Sequence, residues 1–164
     1  RGTDEALLIR KIKENNIYGI KVHPVCDGYY PEPWLMAPIF EIAKACDIPI
    51  LWHTGWGSFG DCGWVEKSAK VNAEVSFVIG HMIERDVVEV AKRNGNIFLE
   101  TSYCSGPRRL AGYLGMVGSE KILFGSDFPV NDMVFQKTLI LRAKISDREK
   151  ENILGLNAKR LLKI

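Results

Sequence analysis

Ile122-Leu123-Phe124-Gly125-Ser126-Asp127-Phe128-Pro129 is the stretch on which the reading of the whole chain turns. It is a short apolar run with the form of a fully buried β-strand, closed by a carboxylate and stopped by a proline. A carboxylate at the carboxyl end of a buried parallel strand lies where α/β folds carry their chemistry. Working outward, three other segments end in the same way with histidine. They are Ile48-Pro49-Ile50-Leu51-Trp52-His53, Val75-Ser76-Phe77-Val78-Ile79-Gly80-His81 and Ile17-Tyr18-Gly19-Ile20-Lys21-Val22-His23-Pro24. The chain has three histidines, and each closes an apolar run.

Between these runs the sequence carries helix signals. Thr3 before Asp4 and Glu5 reads as a helix start, with Leu8 and Ile12 on one face and an end at Asn15-Asn16. A polar, aromatic loop over residues 27–33 precedes a helix over residues 34–46. The glycine-rich loop after His53 leads to a helix over residues 65–73. Another helix spans residues 84–93 and stops at Asn94-Gly95. A fourth strand covers residues 97–101. A loop and a helix from about Pro107 follow it, and the fifth strand ends at Asp127. Helices are then expected over residues 132–144, after the capping box Ser146-x-x-Glu149, and from Asn157 to the end.

Strands thus alternate with helices five times, which demands a parallel sheet with right-handed crossovers. The strand ends fall at 23, 53, 81, about 101 and 127, so the units are 20 to 30 residues long. A βα-barrel of about 250 residues has units of about 31. The spacing fits either a barrel or an open doubly wound sheet. No G-x-G-x-x-G lies between a strand and a helix and no Walker sequence occurs, so a dinucleotide or P-loop site is not indicated.

Composition narrows the function classes. With 164 residues, 46% of them hydrophobic and 26% charged, the chain is expected to form one globular domain with a real core. A net charge of +2 is too near neutral to argue for nucleic acid or an anionic membrane. No apolar run is long enough to span a bilayer, and Arg1-Gly2-Thr3-Asp4-Glu5 lacks the form of a signal peptide. Cys26, Cys46, Cys62 and Cys104 form no C-x-x-C pair and read as free thiols in a reducing compartment, with the cytoplasm as the expected location.

Side chains alternate faces along a strand. His53 is therefore expected to share a face with Leu51, His81 with Ile79, and Asp127 with Gly125 and Leu123, while Lys21 and His23 point the same way. If that face is a barrel interior, the polar ends converge at its mouth. Imidazole and carboxylate suit zinc and similar divalent ions, which lower the pKa of bound water to near 7. One histidine at a strand end is usually a hydrogen-bonded core residue; three at equivalent positions beside an aspartate are not explained that way. Lys21, if buried, is either functional or paired with a carboxylate. Cys62 and Cys104 are expected to be small packed thiols. Arg108 and Arg109, at a helix start, suit either a substrate carboxylate or solvent. Trp52 is expected to face the helices.

On these residues the chain resembles the amidohydrolase superfamily, in the amidohydrolase-related branch with aminocarboxymuconate-semialdehyde-decarboxylase-like enzymes. The matching segments are Gly19 to Pro24, Ile48 to Gly55, Val78 to Met82, Phe98 to Ser102, Phe124 to Pro129 and the tail Asn152 to Leu162. The resemblance implies a metal-dependent (β/α)8 TIM barrel of which this chain supplies strands four to eight as a partial barrel of about five βα units. His53 would then be a metal ligand from strand five. His81 on strand six would be a second ligand or an acid/base. Asp127 on strand eight would bind the metal and take a proton from its water. Lys21 and His23, with Arg108 and Arg109, would be substrate-binding candidates. The cofactor implied is a divalent ion: zinc, or manganese or iron.

The family's His-x-His motif of strand one has no counterpart here. The expectation is therefore a fragment that lacks strands one to three, holds metal weakly and exposes two sheet edges that invite homo-oligomer formation. Three functional readings stand. The first is a hydrolase using metal-activated water on a carbonyl or amide-like carbon of a small molecule. The second is a decarboxylase of a small unsaturated or aromatic acid. The third is a catalytically silent half-barrel.

Overall fold

The computed structural model describes residues 4–83 and 85–164. Five strands form one parallel sheet: β1 (Ile20–Val22), β2 (Ile50–His53), β3 (Phe77–Gly80), β4 (Ile97–Glu100) and β5 (Ile122–Leu123). They lie side by side in chain order. A doubly wound sheet reverses its order at a switch point; this one does not. The arrangement is that of a partial (β/α) barrel.

The helices are α1 (Glu5–Glu14), α2 (Pro24–Asp27), α3 (Pro33–Cys46), α4 (Cys62–Val71), α5 (Arg85–Arg93), α6 (Pro107–Val117), α7 (Met133–Arg142), α8 (Asp147–Glu151) and α9 (Asn157–Leu162). Their starts follow capping chemistry. Asp4, Asp61, Asp132 and Ser146 accept backbone N–H groups of the first turns of α1, α4, α7 and α8. Pro33 and Pro107 occupy first-turn positions, where a missing N–H costs nothing. The capping box at Ser146 and Glu149 is formed. None of the described helices is long and apolar enough to cross a membrane.

The core lies between sheet and helices. Register brings Val22, Trp52, Ile79, Leu99 and Ile122 into one row across all five strands. Every member of that row is buried. Trp52 packs with Phe40 of α3 and Phe77 of β3, at centroid distances of 6.4 and 6.3 Å. Each such large apolar side chain contributes about 1.5–3 kcal/mol by leaving water. The tail motif is structural. Asn157 donates to the carbonyls of Ser119 and Ile122, and Asn152 to the Ser119 hydroxyl, which fastens the C-terminal helices beneath β5.

Several sequence expectations need correction. The fifth strand stops at Leu123, four residues short of Asp127, because the N–H of Phe124 leaves the sheet and donates to Ile153 O at 2.8 Å. Residues 24–27 form α2, capped by the His23 ring, which accepts the N–H of Cys26. A π-helical turn, Asn152–Leu156, joins α8 to α9. Ile12 is buried but Leu8 is 40% exposed, so α1 docks along a narrower stripe than its pattern suggests. Lys21 is exposed rather than buried, with no ion pair among the described residues. The expected cap at Thr3 and helix start at Glu84 lie outside the described residues. All four cysteines are free thiols, and Cys104 is buried as a packed one.

Candidate active site at the mouth of the sheet

The site is built by what happens where the strands end. Trp56, His81, Tyr103 and Asp127 follow β2, β3, β4 and β5, and all four have positive φ, between 55° and 82°. This region is costly for residues with a Cβ and collects at functional positions. Each turn throws a side chain across the carboxyl ends of the strands. Alternation placed His81 with Ile79, which faces the helices. A φ of 82° at His81 swings the ring back to the concave side instead.

There the histidines assemble. His81 Nε2 lies 2.9 Å from His53 Nδ1, and His81 Nδ1 lies 2.7 Å from Ser102 Oγ. The rings of His23 and His53 stack at 3.6 Å. Ser102 Oγ donates to Glu100 Oε2 at 2.6 Å. Glu100 also accepts the backbone N–H groups of Ser102 and His81, at 2.6 and 3.2 Å. The carboxylate is an acceptor throughout, so the serine hydroxyl spends its proton on Glu100 and must accept from His81. The hydrogen-bond network therefore assigns the tautomers. His81 carries its proton on Nδ1 and accepts from His53 Nδ1–H, which leaves an unshared pair on His53 Nε2. In His23 the Nδ1 accepts the Cys26 N–H, so its Nε2–H points to Cys26 Sγ, 3.4 Å away.

Electrostatics follow from this crowding. Burial first, then the neighbouring His23, His81 and Lys21, push His53 down to about 3. Burial also lowers His81, to about 4, with Asp127 pulling the other way. Burial raises Glu100 from its ordinary value, against its hydrogen bonds from Ser102 and His81 and the Lys21 charge. Although Lys21 is accessible at the open mouth, the side chains around its ammonium partly desolvate it and lower it, against the Glu100 and Asp127 charges. Glu100 enters the concave face through a gap: a Cβ on Gly125 would collide with its carboxylate. Gly80 makes a second gap, where a Cβ would lie 3.5 Å from Lys21 Nζ.

Lys21, His23, His53, His81 and Asp127 line one cavity of about 370 Å³, walled by the rings of Trp56 and Tyr103. Arg108 and Arg109 do not join them. They line a separate cavity with Arg85 of α5 and other residues of α6, and Arg109 donates to Ile83 O. Sequence reasoning missed four residues. Glu100 and Ser102 had a visible signal, an acid interrupting an apolar strand; Trp56 and Tyr103 had none beyond their place in loops.

The donor chemistry matches a divalent ion in type and falls short in number. His53 Nε2 and Asp127 are the available nitrogen and carboxylate. Among the described residues no three His, Cys, Asp or Glu side chains gather into a coordination set.

Sequential parallel strands, apolar outside and polar at their carboxyl ends, define the class: a TIM-barrel-type α/β protein with its site at the mouth. The chain belongs to the amidohydrolase family, whose sequence model matches residues 4–164. No curated protein matches it. Among solved structures it is similar to a TIM-barrel protein of Bordetella bronchiseptica, at 19% identity and a TM-score of 0.79 over 99% of this chain and 64% of that one. A dihydroxybenzoic acid decarboxylase of Polaromonas sp. JS666, with bound manganese and the inhibitor 2-nitroresorcinol, is 18% identical over 97% of this chain and 64% of that one, at a TM-score of 0.74. The 5-carboxyvanillate decarboxylase of Sphingomonas paucimobilis is 17% identical over 98% and 64%, at 0.76. At these identities the structural likeness shows the fold alone. The chain spans 64% of the length of each of these three structures.

Proposed function

We propose that this chain carries the reaction mouth of a metal-dependent enzyme that removes the carboxyl group of a small aromatic acid. The observation behind this reading is the 370 Å³ cavity, in which Lys21 and two aromatic walls face a histidine whose tautomer is set from behind. The decarboxylases among the structural neighbours point the same way. Lys21 holds the carboxylate, and the faces of Trp56 and Tyr103 hold the ring. His81 keeps its Nδ1–H on Ser102, and its Nε2 takes the acid/base role once the bond from His53 Nδ1–H opens. When the carbon–carbon bond breaks, carbon dioxide leaves and the ring carbon keeps the electron pair and takes a proton. One proton is drawn from solvent and passed through His81. A bound substrate carboxylate acts as Asp127 does, raising His81 toward its proton-donating form. A divalent ion held by His53 Nε2 and Asp127 would supply positive charge for the substrate's oxygens.

A second reading rests on Asp127, the one carboxylate lining the cavity among the described residues. It would serve as the base for water in a hydrolase. Product analysis with manganese and 2,6-dihydroxybenzoate separates the readings. Carbon dioxide release that falls about 100-fold or more in His81→Asn is expected. Hydrolysis of amide or lactone substrates without carbon dioxide release from any hydroxybenzoate would overturn the decarboxylase reading. Inactivity on both classes would favour the silent half-barrel.

A further inference from the structure

One carboxylate of the inner face stops short of the mouth. Among the described residues that line the 370 Å³ cavity, Glu100 and Ser102 are absent, so neither meets a ligand held there. Glu100 is nevertheless held on three sides. Its Oε1 accepts the Ser102 N–H at 2.6 Å, and its Oε2 accepts the Ser102 hydroxyl at 2.6 Å and the His81 N–H at 3.2 Å. Gly125 leaves the room this carboxylate fills. A group so firmly placed and out of a ligand's reach acts through what it binds.

From Glu100 the hydrogen bonds run in one line. Ser102 Oγ meets His81 Nδ1 at 2.7 Å, and His81 Nε2 meets His53 Nδ1 at 2.9 Å. Each link holds one proton, and a hydroxyl or a neutral imidazole has one to give. Two donors or two acceptors facing each other would leave a buried polar group without its bond. The line therefore has only two states, with every proton pointing one way or the other. A carboxylate cannot donate, so the protons point toward Glu100 and the unshared pair emerges on His53 Nε2, in a side chain that lines the mouth.

We infer that Glu100 is a positioning residue of the mouth: through Ser102 and His81 it decides which nitrogen of His53 is offered there. His23 lies outside the line, because its Nδ1 accepts the Cys26 N–H whatever Glu100 does. The consequence for a metal ion rests on the function proposed above; the setting of the tautomers does not.

Glu100→Gln reverses the line while keeping its shape. The amide oxygen stays at the Oε1 place, where the Ser102 N–H makes the shorter backbone contact, and the amide nitrogen at the Oε2 place donates to Ser102 Oγ. Nitrogen-15 NMR of the imidazoles at pH 7.5 is then expected to show His53 and His81 both protonated on Nε2 instead of Nδ1, with His23 unchanged. Ser102→Ala cuts the line, and both tautomers of His53 and His81 should be populated; Ser102→Thr keeps the hydroxyl and should preserve the wild-type pattern. Manganese titrated into Glu100→Gln should bind about 10-fold or more weakly than to wild type. Wild-type tautomers in Glu100→Gln overturn the inference, and so does a reversal that includes His23. Should that variant fail to fold, wild-type tautomers in Ser102→Ala overturn it equally. Reversed tautomers with unaltered manganese affinity would leave Glu100 in its role and remove His53 Nε2 as a metal ligand, so that the metal reading of the mouth falls alone.

Discussion

The two faces of this sheet are made from the same strands and obey opposite rules. On the helix side, Val22, Trp52, Ile79, Leu99 and Ile122 form an unbroken buried row. On the concave side the strands present Lys21, Leu51, Val78, Gly80, Phe98 and Glu100, a mixture of charge, aliphatic surface and glycine. Alternation separates the two tasks at single-residue resolution. The outer face supplies the burial that holds the strands parallel. The inner face carries polar groups whose desolvation costs stability and which line or support the proposed site. At the mouth the division is sharpened by four non-glycine residues at positive φ, each a local cost that the packed outer face sustains.

The largest test of this division is truncation on either side. Phe77→Ala, on the buried face, should cost about 3–5 kcal/mol in urea or guanidinium unfolding. Leu51→Ala, half-buried on the concave face, should cost about 1–2 kcal/mol. Equal costs would mean that the concave face contributes as much core as the outer one. A finer test concerns the gap that admits Glu100. Gly125→Ala should destabilise by roughly 1–3 kcal/mol through overlap with the carboxylate. In a Glu100→Ala background the same substitution should cost only about 0.5 kcal/mol. Additive effects in that cycle would remove the contact from the account.

Much of this was legible in the sequence, for reasons that can be named. The strands are short apolar runs closed by polar residues, and the helices start at Asp, Ser or Pro, so element order and parallel class followed directly. Choosing between a barrel and a doubly wound sheet required strand order, which no local pattern encodes. The alternation rule carried Lys21 and His53 to the concave face correctly, because both lie on or directly beside regular strand. It misplaced His81, since periodicity holds only while the backbone is extended and His81 is at φ 82°. It also overran β5, whose chain turns to Ile153 at Phe124. Arg108 and Arg109 were adjacent in sequence to the loop after β4 but fall outside the mouth, because the first turn of α6 places them in a separate cavity with Arg85.

The histidine pair gives the inner face a pH signature. Both imidazoles titrate below the ordinary 6.5, at about 3 and about 4, so the fold favours their neutral forms. The unfolded chain then binds more protons than the native one between about pH 6.5 and 3. This contribution to stability is complete above pH 6.5 and is lost as pH falls through that window. Because one N–H···N bond joins the rings, the first proton taken up belongs to the pair.

The most direct measurement is nitrogen-15 NMR of the imidazoles, followed from pH 8 to 4. At pH 7.5, His53 and His81 should each show a protonated Nδ1 and an unprotonated Nε2, and His23 the reverse. The pair should remain neutral to below pH 5. A His81 protonated on Nε2 would mean that Glu100 holds the proton and the relay runs backwards. That result would contradict the assignment of His53 Nε2 as the free donor on which the proposed chemistry of the mouth depends.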